Sequence, residues 1–198
     1  MKMKEVLIII LNDYADWEGA FLASSLNAGV LPGSEVVYTV KTVAPSMEPV
    51  RSIGGFRTLP DYDFGNMPED YAAVVLIGGY SWQSPEACGV EKIVKRTLEN
   101  GKPVGAICNA VSFMCAHGFL NNVKHTGNTL QQLELYGGKS YTNRNGYVEA
   151  QAVSDSGIVT ANGSGYLEFT RELLTLLGAD TPERIAASYD FFKNGLVR

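Results

Sequence analysis

The chain has 198 residues, of which 45% are hydrophobic, and its formal net charge at pH 7 is −5. This length and composition predict one globular domain spanning residues 1–198, with enough apolar material for a core. The acidic balance and the lack of any run of basic residues exclude nucleic acid as a main partner. No apolar segment is long enough to cross a bilayer, so no membrane partner is expected.

The cysteine and histidine content limits the kinds of site that the chain can build. Cys88, Cys108 and Cys115 are odd in number and match no zinc motif, so neither a disulfide framework nor a zinc site is expected. His117 and His125 are the only histidines, which excludes a histidine-rich metal site. We expect no metal and no cofactor. The lack of a disulfide framework favours a reducing, cytoplasmic setting.

The first half of the chain alternates predicted strands with predicted helices. Strands are predicted at residues 6–11, 35–42 and 72–77, a hairpin or two short edge strands at 50–59, and helices at 17–28 and 85–100. Glu5 interrupts the apolar N-terminal stretch and no small-residue cleavage site follows, so this stretch is expected to be a strand rather than a signal peptide. The polar residues 60–70 predict a surface loop.

The second half begins with a strand that runs directly into a helix. Residues 102–107 predict a short buried strand and residues 110–116 keep helical spacing, so Cys108 lies at the joint. Beyond it, extended segments are predicted at 123–127, 139–142, 147–154 and 158–161, helices at 129–136 and 166–177, and a short helix after Thr181-Pro182. Strands that alternate with helices predict an α/β fold with a mainly parallel sheet and helices on both faces.

Three stretches distant in sequence are predicted to meet beyond the carboxyl ends of the strands, where such folds place their sites. They are the loop before Glu18, the pair Gly78-Gly79, and Cys108. A cysteine at a strand-to-helix joint lies on a sharp elbow at the positive end of a helix, which is expected to lower the pKa of its thiol. The alternative is a buried cysteine that packs like a small hydrophobic residue, which is the role predicted for Cys115.

A nucleophilic thiol also needs donors for an oxyanion and a group that controls its proton. The backbone N–H groups of Gly79 and Asn109 are the candidate donors, although Gly78-Gly79 could instead be a plain strand-to-loop turn. Glu18 is the candidate acid. A carboxylate and a thiolate cannot both form cheaply at close range, so a protonated Glu18 would donate a hydrogen bond to the sulfur. Alternatively, Glu18 only complements the dipole of its helix.

Several segments, in chain order, resemble the ThiJ/PfpI family of the class I glutamine-amidotransferase-like superfamily. They are Leu7 to Leu11, Asp16-Trp17-Glu18, Leu76-Ile77-Gly78-Gly79, Gly105-Ala106-Ile107-Cys108, Gly118-Phe119-Leu120, Thr126-Gly127-Asn128, Ile158 to Gly163 and Tyr166-Leu167-Glu168-Phe169. The resemblance implies a flavodoxin-like sandwich, a homodimer, and one pocket that holds Cys108 and Glu18. It also implies a small-molecule substrate, because family activities include peptidase or amidase, glyoxalase or deglycase, and isonitrile-hydrating chemistry, besides chaperone and oxidation-sensing roles.

The chain departs from this family at positions where histidine is common. Protease-like members carry a histidine directly after the cysteine, where this chain has Asn109, and other members carry one at the position that resembles Asn128. His125 lies on an extended segment, where alternation could point it away from the thiol and leave it a partly exposed strand histidine. A Cys-His-acid triad is therefore not expected, and peptidase activity is not favoured.

The predicted function is a hydrolase or lyase that uses Cys108 as nucleophile and Glu18 as its proton partner on a small carbonyl, amide or related compound. Further candidates for the pocket are Asp16, Trp17, Gly78, Tyr80, His125 and Asn128. The aromatic residues near the strand ends could line either this pocket or a dimer interface; they are Trp17, Tyr80, Trp82 and Tyr166. The rival hypotheses are a non-catalytic oxidation sensor or stress-protective protein that uses the same cysteine, and a binding module without chemistry.

Overall fold

The fold is that of a computed structural model, which describes residues 3–195. The strands are β1 (Lys4–Ile9), β2 (Tyr38–Ala44), β3 (Val50–Arg51), β4 (Arg57–Thr58), β5 (Tyr62–Asp63), β6 (Ala73–Leu76), β7 (Val104–Ile107), β8 (Ala152–Asp155) and β9 (Ile158–Ala161). The helices are α1 (Asp16–Ala28), α2 (Val90–Glu99), α3 (Asn109–Ala116), α4 (Leu130–Gly137), α5 (Tyr166–Leu177) and α6 (Pro182–Asn194). None of the helices between residues 3 and 195 has the length and apolar character needed to cross a bilayer.

One seven-stranded sheet forms the centre of the molecule, with the strand order β5-β2-β1-β6-β7-β9-β8. Its neighbouring strands are parallel except for β8 and β9, which are antiparallel. Strands β3 and β4 form a separate antiparallel hairpin within the predicted hairpin segment. The predicted fold class is confirmed: this is a flavodoxin-like α/β fold with a mainly parallel sheet.

The sheet separates two hydrophobic cores, because successive side chains of a strand point to opposite faces. In β1, Leu7 and Ile9 join the core that contains α2 and α3, whereas Val6 and Ile8 join the core that contains α1 and α5. Every residue of β6 and β7 is buried, as expected for strands covered on both faces. The ends of these strands are therefore the places where polar side chains can meet outside the core.

The structure corrects the predicted elements at several places. Part of the predicted loop 60–70 is the edge strand β5, whose two residues are too few to produce a recognisable pattern. Residues 139–142 form no strand, since the chain continues from α4 into a 3-10 helix at Gly138–Ser140. The predicted helix 85–100 is divided into a 3-10 helix and α2. The short C-terminal helix is the 13-residue α6.

Candidate active site

Three chain segments meet at the carboxyl edge of the sheet, where β1, β6 and β7 end. The loop after β1 is tied to the end of β6, because the N–H of Ala15 donates to the carbonyl of Gly78 at 2.9 Å. The end of β7 is tied to β9, because the N–H of Cys108 donates to the carbonyl of Ala161 at 2.9 Å. These contacts bring the start of α1, the glycines after β6 and the joint before α3 around one sulfur atom.

Cys108 occupies the joint between β7 and α3 in an uncommon backbone conformation. Its φ and ψ angles are 60° and −127°, a positive φ that residues other than glycine rarely adopt. The strand ends and the helix begins within this one residue, and the side chain is only half-buried. A conformation of this kind costs on the order of 1 to 3 kcal/mol and persists because the surrounding structure holds it.

The carboxyl group of Glu18 is the buried acid of the site. Glu18 lies in the first turn of α1, and none of its surface is exposed. Its Oε2 atom accepts a hydrogen bond of 2.8 Å from the N–H of Gly78. Within the described residues, Oε1 has no hydrogen-bond partner. Burial raises the pKa of Glu18 from 4.5 to about 7, against the lowering effect of the hydrogen bonds from Cys108 and Gly78.

Gly78 and Gly163 border this pair closely: a side chain at position 78 would clash, and one at position 163 would be tightly confined. A Cβ atom on Gly78 would lie 2.5 Å from Cβ of Cys108 and 2.9 Å from the carbonyl oxygen of Ile107. A Cβ atom on Gly163 would lie 3.0 Å from the Cys108 sulfur and 3.1 Å from Oε1 of Glu18. The sulfur and the free carboxyl oxygen therefore border the same small space, which glycine leaves open.

An amide from the loop before α4 completes the contacts of the sulfur. The Nδ2 group of Asn128 donates to Sγ of Cys108 at 3.4 Å. The Oδ1 atom of Asn128 accepts from the N–H of Gly163 at 2.9 Å. The backbone N–H of Asn109, at the start of α3, is a second donor to the sulfur. The sulfur thus faces one acid and two uncharged donors.

The ionisation of Cys108 differs from the prediction for a helix N-terminus. Burial of the sulfur and the charge of a neighbouring Glu18 carboxylate raise the pKa of the thiol to about 11, although the donors Asn128 and Asn109 act in the opposite direction. The expected lowering of this pKa is therefore wrong for a thiol beside an ionised acid, because desolvation outweighs the helix dipole. Because the two groups interact, they titrate as a pair, in which Glu18 loses its proton at a lower pH than Cys108.

Of the two predicted backbone donors, the N–H of Asn109 contacts the sulfur, and the direction of the Gly79 N–H follows from its peptide. The carbonyl of Gly78 is bound to Ala15, and the C=O and N–H of a trans peptide point in opposite directions. The N–H of Gly79 therefore points away from the loop before α1 and towards the end of β7. The Asn109 side chain fixes the next peptide by donating to the Gly79 carbonyl at 2.7 Å, and Gln132 of α4 donates to Oδ1 of Asn109 at 2.7 Å.

Comparison with known proteins supplies a family for this arrangement. The model of the DJ-1/PfpI family matches residues 4–176. The chain belongs to the DJ-1/PfpI family. It is 42% identical over 184 residues to a Bacillus subtilis protein named uncharacterized protease YdeA, with 92% of this chain and 88% of that protein covered. A second Bacillus subtilis protein, named uncharacterized protease YoaZ, is 29% identical, with 98% of this chain and 92% of that protein covered.

Solved structures of DJ-1/PfpI relatives share the fold over the whole chain. The DJ-1 superfamily protein Atu0886 from Agrobacterium tumefaciens is 34% identical, with a TM-score of 0.86 and coverage of 98% of this chain and 100% of that one. The ThiJ/PfpI family protein from Bacillus anthracis is 28% identical, with a TM-score of 0.90 and coverage of 99% and 93%. The family resemblance predicted from the sequence is confirmed.

His125 does not contribute to the site of this DJ-1/PfpI chain. Its side chain is fully buried, with Nδ1 at 2.9 Å from the carbonyl of Val123 and Nε2 at 2.7 Å from the hydroxyl of Tyr141. Because both ring nitrogens are occupied by these partners, its inclusion among the pocket residues is wrong. The alternative of a partly exposed strand histidine is wrong as well, since Tyr141 draws the ring into the core.

The remaining predicted pocket residues differ in their relation to the sulfur. Trp17 borders the site, since its Nε1 donates to the carbonyl of Gly163 at 3.1 Å while 47% of the residue is exposed. The Asp16 carboxylate instead accepts from the N–H of Gly54 at 2.8 Å, so it holds the β3–β4 hairpin rather than the sulfur. Tyr80, directly after the glycine pair, is 71% exposed.

Two residues of the site were not among the candidates derived from the sequence. Gly163 follows the buried strand β9, and a glycine after a buried strand is the same signal that marks Gly78 and Gly79. Gln132 carries no such signal, because it reaches Asn109 only through the packing of α4 against α3.

Proposed function

We propose that this DJ-1/PfpI protein is a cysteine-dependent hydrolase or lyase that acts on small carbonyl, amide or related compounds. One observation carries the proposal: the Cys108 sulfur shares a confined space with the fully buried Glu18 carboxyl, one oxygen of which has no hydrogen-bond partner among the described residues. Such a pair holds a single proton at neutral to mildly alkaline pH. It therefore combines a nucleophile and an acid in one site.

Because Glu18 ionises at lower pH than Cys108, the resting pair is a carboxylate beside a protonated thiol. The hydrogen bonds around the pair support transfer of the thiol proton to Glu18, which leaves the negative charge on the sulfur. In that state, the sulfur accepts from the Asn109 N–H, the Asn128 amide and the protonated Glu18 carboxyl. In the opposite state, the carboxylate keeps the Gly78 N–H and the thiol as its donors. Three donors at the sulfur, against two at the carboxylate, lower the free-energy cost of forming a thiolate beside a neutral acid.

The step proposed for this state is addition of the sulfur to a carbonyl carbon. A C–S bond forms, the π electron pair of the carbonyl moves to its oxygen, and Glu18 gives its proton to that oxygen. The negative charge thereby moves from the sulfur to the carboxylate, and the substrate is held as an adduct. The N–H groups of Gly79 and Asn109 are the proposed donors to the oxygen while its charge develops.

Peptide hydrolysis is not part of the proposal. YdeA and YoaZ are named as proteases, but a leaving amine must be protonated as the C–N bond breaks. The Asn109 side chain is engaged with Gly79 and Gln132, and His125 is bound elsewhere. Among residues 3–195, Glu18 is the acid beside the sulfur, so carbonyl compounds, whose oxygen is protonated, suit the site better than amides or peptides, whose nitrogen must leave.

Turnover of a panel of dicarbonyls, primary amides and isonitriles tests the proposal. We expect turnover of at least one class, and a loss of about 10³-fold or more in kcat/KM in Cys108→Ser. Cys88→Ser is the matched control, because Cys88 is exposed and lies in the 3-10 helix Pro85–Gly89. Equal turnover by Cys108→Ser and the wild type would contradict the proposal.

Oxidation sensing by the same sulfur is the second candidate function. The observation that favours it is that both histidines in the described part of the chain are bound to residues other than Cys108. His125 binds Val123 and Tyr141, and His117 pairs with Glu91 at 3.1 Å. A thiolate without an imidazole base can still be converted to sulfenic and sulfinic acid. No turnover of any class, together with selective oxidation of Cys108 by mild peroxide, would favour this function over the enzyme.

A further inference from the structure

The side chain of Asn128 contacts the Cys108 sulfur, although an amide neither gains nor loses a proton at neutral pH. We propose that Asn128 is a positioning residue that stabilises negative charge on the Cys108 sulfur and fixes the direction in which the sulfur faces a substrate. The proposal rests on the proposed function, since it concerns the same sulfur. It assigns to an amide the place beside the sulfur where, by resemblance, other family members carry a histidine.

The orientation of the amide is determined at its far end. Oδ1 of Asn128 accepts from the N–H of Gly163 at 2.9 Å, which leaves Nδ2 as the atom that faces the sulfur at 3.4 Å. A flipped amide would place an acceptor against the thiolate and a donor against the Gly163 N–H. Only one orientation satisfies both contacts, so a donor always faces Cys108.

The backbone on each side of Asn128 is also held in place. Before it, the N–H of Thr126 donates to Oγ1 of Thr160 at 2.8 Å, and the Thr126 hydroxyl donates to the carbonyl of Ala150 at 2.9 Å. After it, Thr129 caps α4 by accepting from the N–H of Gln132 at 3.1 Å. Asn128 therefore lies between an anchored segment and a capped helix, which keeps its amide against the sulfur.

The charges around the sulfur make the effect of Asn128 measurable. Glu18 from α1 is the ionisable group that faces Cys108. The other neighbours are uncharged: Gly78 after β6, Asn109 in α3, Asn128 before α4 and Gly163 after β9. Asn128 also lines an open cleft of about 750 Å³ that includes Gln131 on its wall. Gln131 is exposed, so it offers a control position in the same cleft.

The test measures the pKa of the Cys108 thiol from thiolate absorbance and from iodoacetamide alkylation across pH, in a Cys88→Ser background. Asn128→Asp keeps an acceptor for Gly163 but loses the donor to the sulfur, and Asn128→Leu loses both without adding charge. We expect each to raise the thiol pKa by about one to two units, because a hydrogen bond to a charged group is lost. Alkylation at pH 7 should slow by about tenfold or more.

The control variant is Gln131→Glu, which adds a carboxyl to the same cleft, and we expect its thiol pKa to stay within about 0.3 units of the wild type. An unchanged thiol pKa in Asn128→Leu would overturn the proposal. A shift in Gln131→Glu equal to that in Asn128→Asp would also overturn it, because any charge in the cleft would then act alike. The measurement needs no substrate, so absence of turnover would contradict the proposed function and leave this result standing.

Discussion

Cys108, at the joint before α3, and Cys115, within α3, are seven residues apart but have different surroundings. Cys108 precedes the helix at the sheet edge, half-buried and with a positive φ, whereas Cys115 lies in the last turn, fully buried, and donates to the carbonyl of Leu133 at 3.3 Å. Burial raises the pKa of both thiols, to about 11 and about 12. At Cys108 the donors Asn109 and Asn128 oppose this effect, whereas burial alone sets the pKa of Cys115.

Burial by itself therefore does not distinguish Cys108, the proposed nucleophile, from Cys115. The feature that distinguishes Cys108 is a neighbouring acid, Glu18, that can be protonated in the folded protein. When Glu18 holds its proton, its charge no longer raises the pKa of Cys108, and its O–H becomes a further donor to the sulfur. The sulfur of Cys115 instead packs against Gly137, where an added Cβ would lie 2.6 Å from it.

The largest expected difference between the two cysteines is their rate of alkylation. In the native protein at pH 8, iodoacetamide should modify Cys108 at least 10³-fold faster than Cys115, because a fully buried thiol reacts only when the fold opens. Mass spectrometry of the modified peptides over time measures both rates. In urea the two rates should become similar. Native rates within tenfold of each other would contradict the assignment of Cys115 to the core.

The second expected difference is the dependence of stability on pH that Glu18 brings to the Cys108 site. Its pKa is about 7 in the folded protein and about 4.5 when exposed, so the folded state binds more protons between these values. The free energy of unfolding should therefore fall as pH rises from 4.5 to 7, by on the order of 3 kcal/mol. Glu18→Gln keeps an acceptor for Gly78 and should remove this fall, as measured by urea unfolding at several pH values.

Glu168 provides a control, because its pKa is shifted in the opposite direction and its effect on the pH dependence of stability should have the opposite sign. It is also a buried carboxyl in the first turn of a helix, but the hydrogen bonds from Lys193 and Tyr189 outweigh burial and hold its pKa below the ordinary value. Its contribution to stability is present above pH 4.5 and is lost as pH falls through the folded pKa. A fall between pH 4.5 and 7 as large in Glu18→Gln as in the wild type would contradict the role of Glu18.

The sequence allows the position of this site to be predicted better than the ionisation of its groups. Continuous apolar runs mark β6 and β7 as buried parallel strands, so the glycines after one and Cys108 after the other could be located. The start of α1, which carries Glu18, could also be located from the sequence. The direction of the Cys108 pKa could not be predicted, because the balance between helix dipole and desolvation depends on how deeply the sulfur lies, which local patterns do not contain.

His125 and Asn128 show a second limit of prediction from the sequence. They lie three residues apart, and either could have faced the thiol. The structure directs His125 into the core through its contact with Tyr141, 16 residues further along the chain, and directs Asn128 to the sulfur through Gly163, 35 residues further. Partners so distant are not recognisable from spacing or alternation within one segment.

The smallest expected effect is the difference in stability between a glycine and an alanine variant, which should have opposite signs at Cys108 and Cys115. Glycine adopts a φ of 60° without strain, so Cys108→Gly should be more stable than Cys108→Ala by about 1 kcal/mol, even after the greater flexibility of glycine in the unfolded chain is counted. At Cys115, which lies within α3, the alanine variant should instead be more stable than the glycine variant by about 1 kcal/mol. Each pair loses the same sulfur, so the loss of its contacts cancels within the pair. Urea unfolding of the four variants measures both differences. The same order at both positions would mean that the backbone of Cys108 is unstrained, and that the joint between β7 and α3 places its thiol at no cost to the fold.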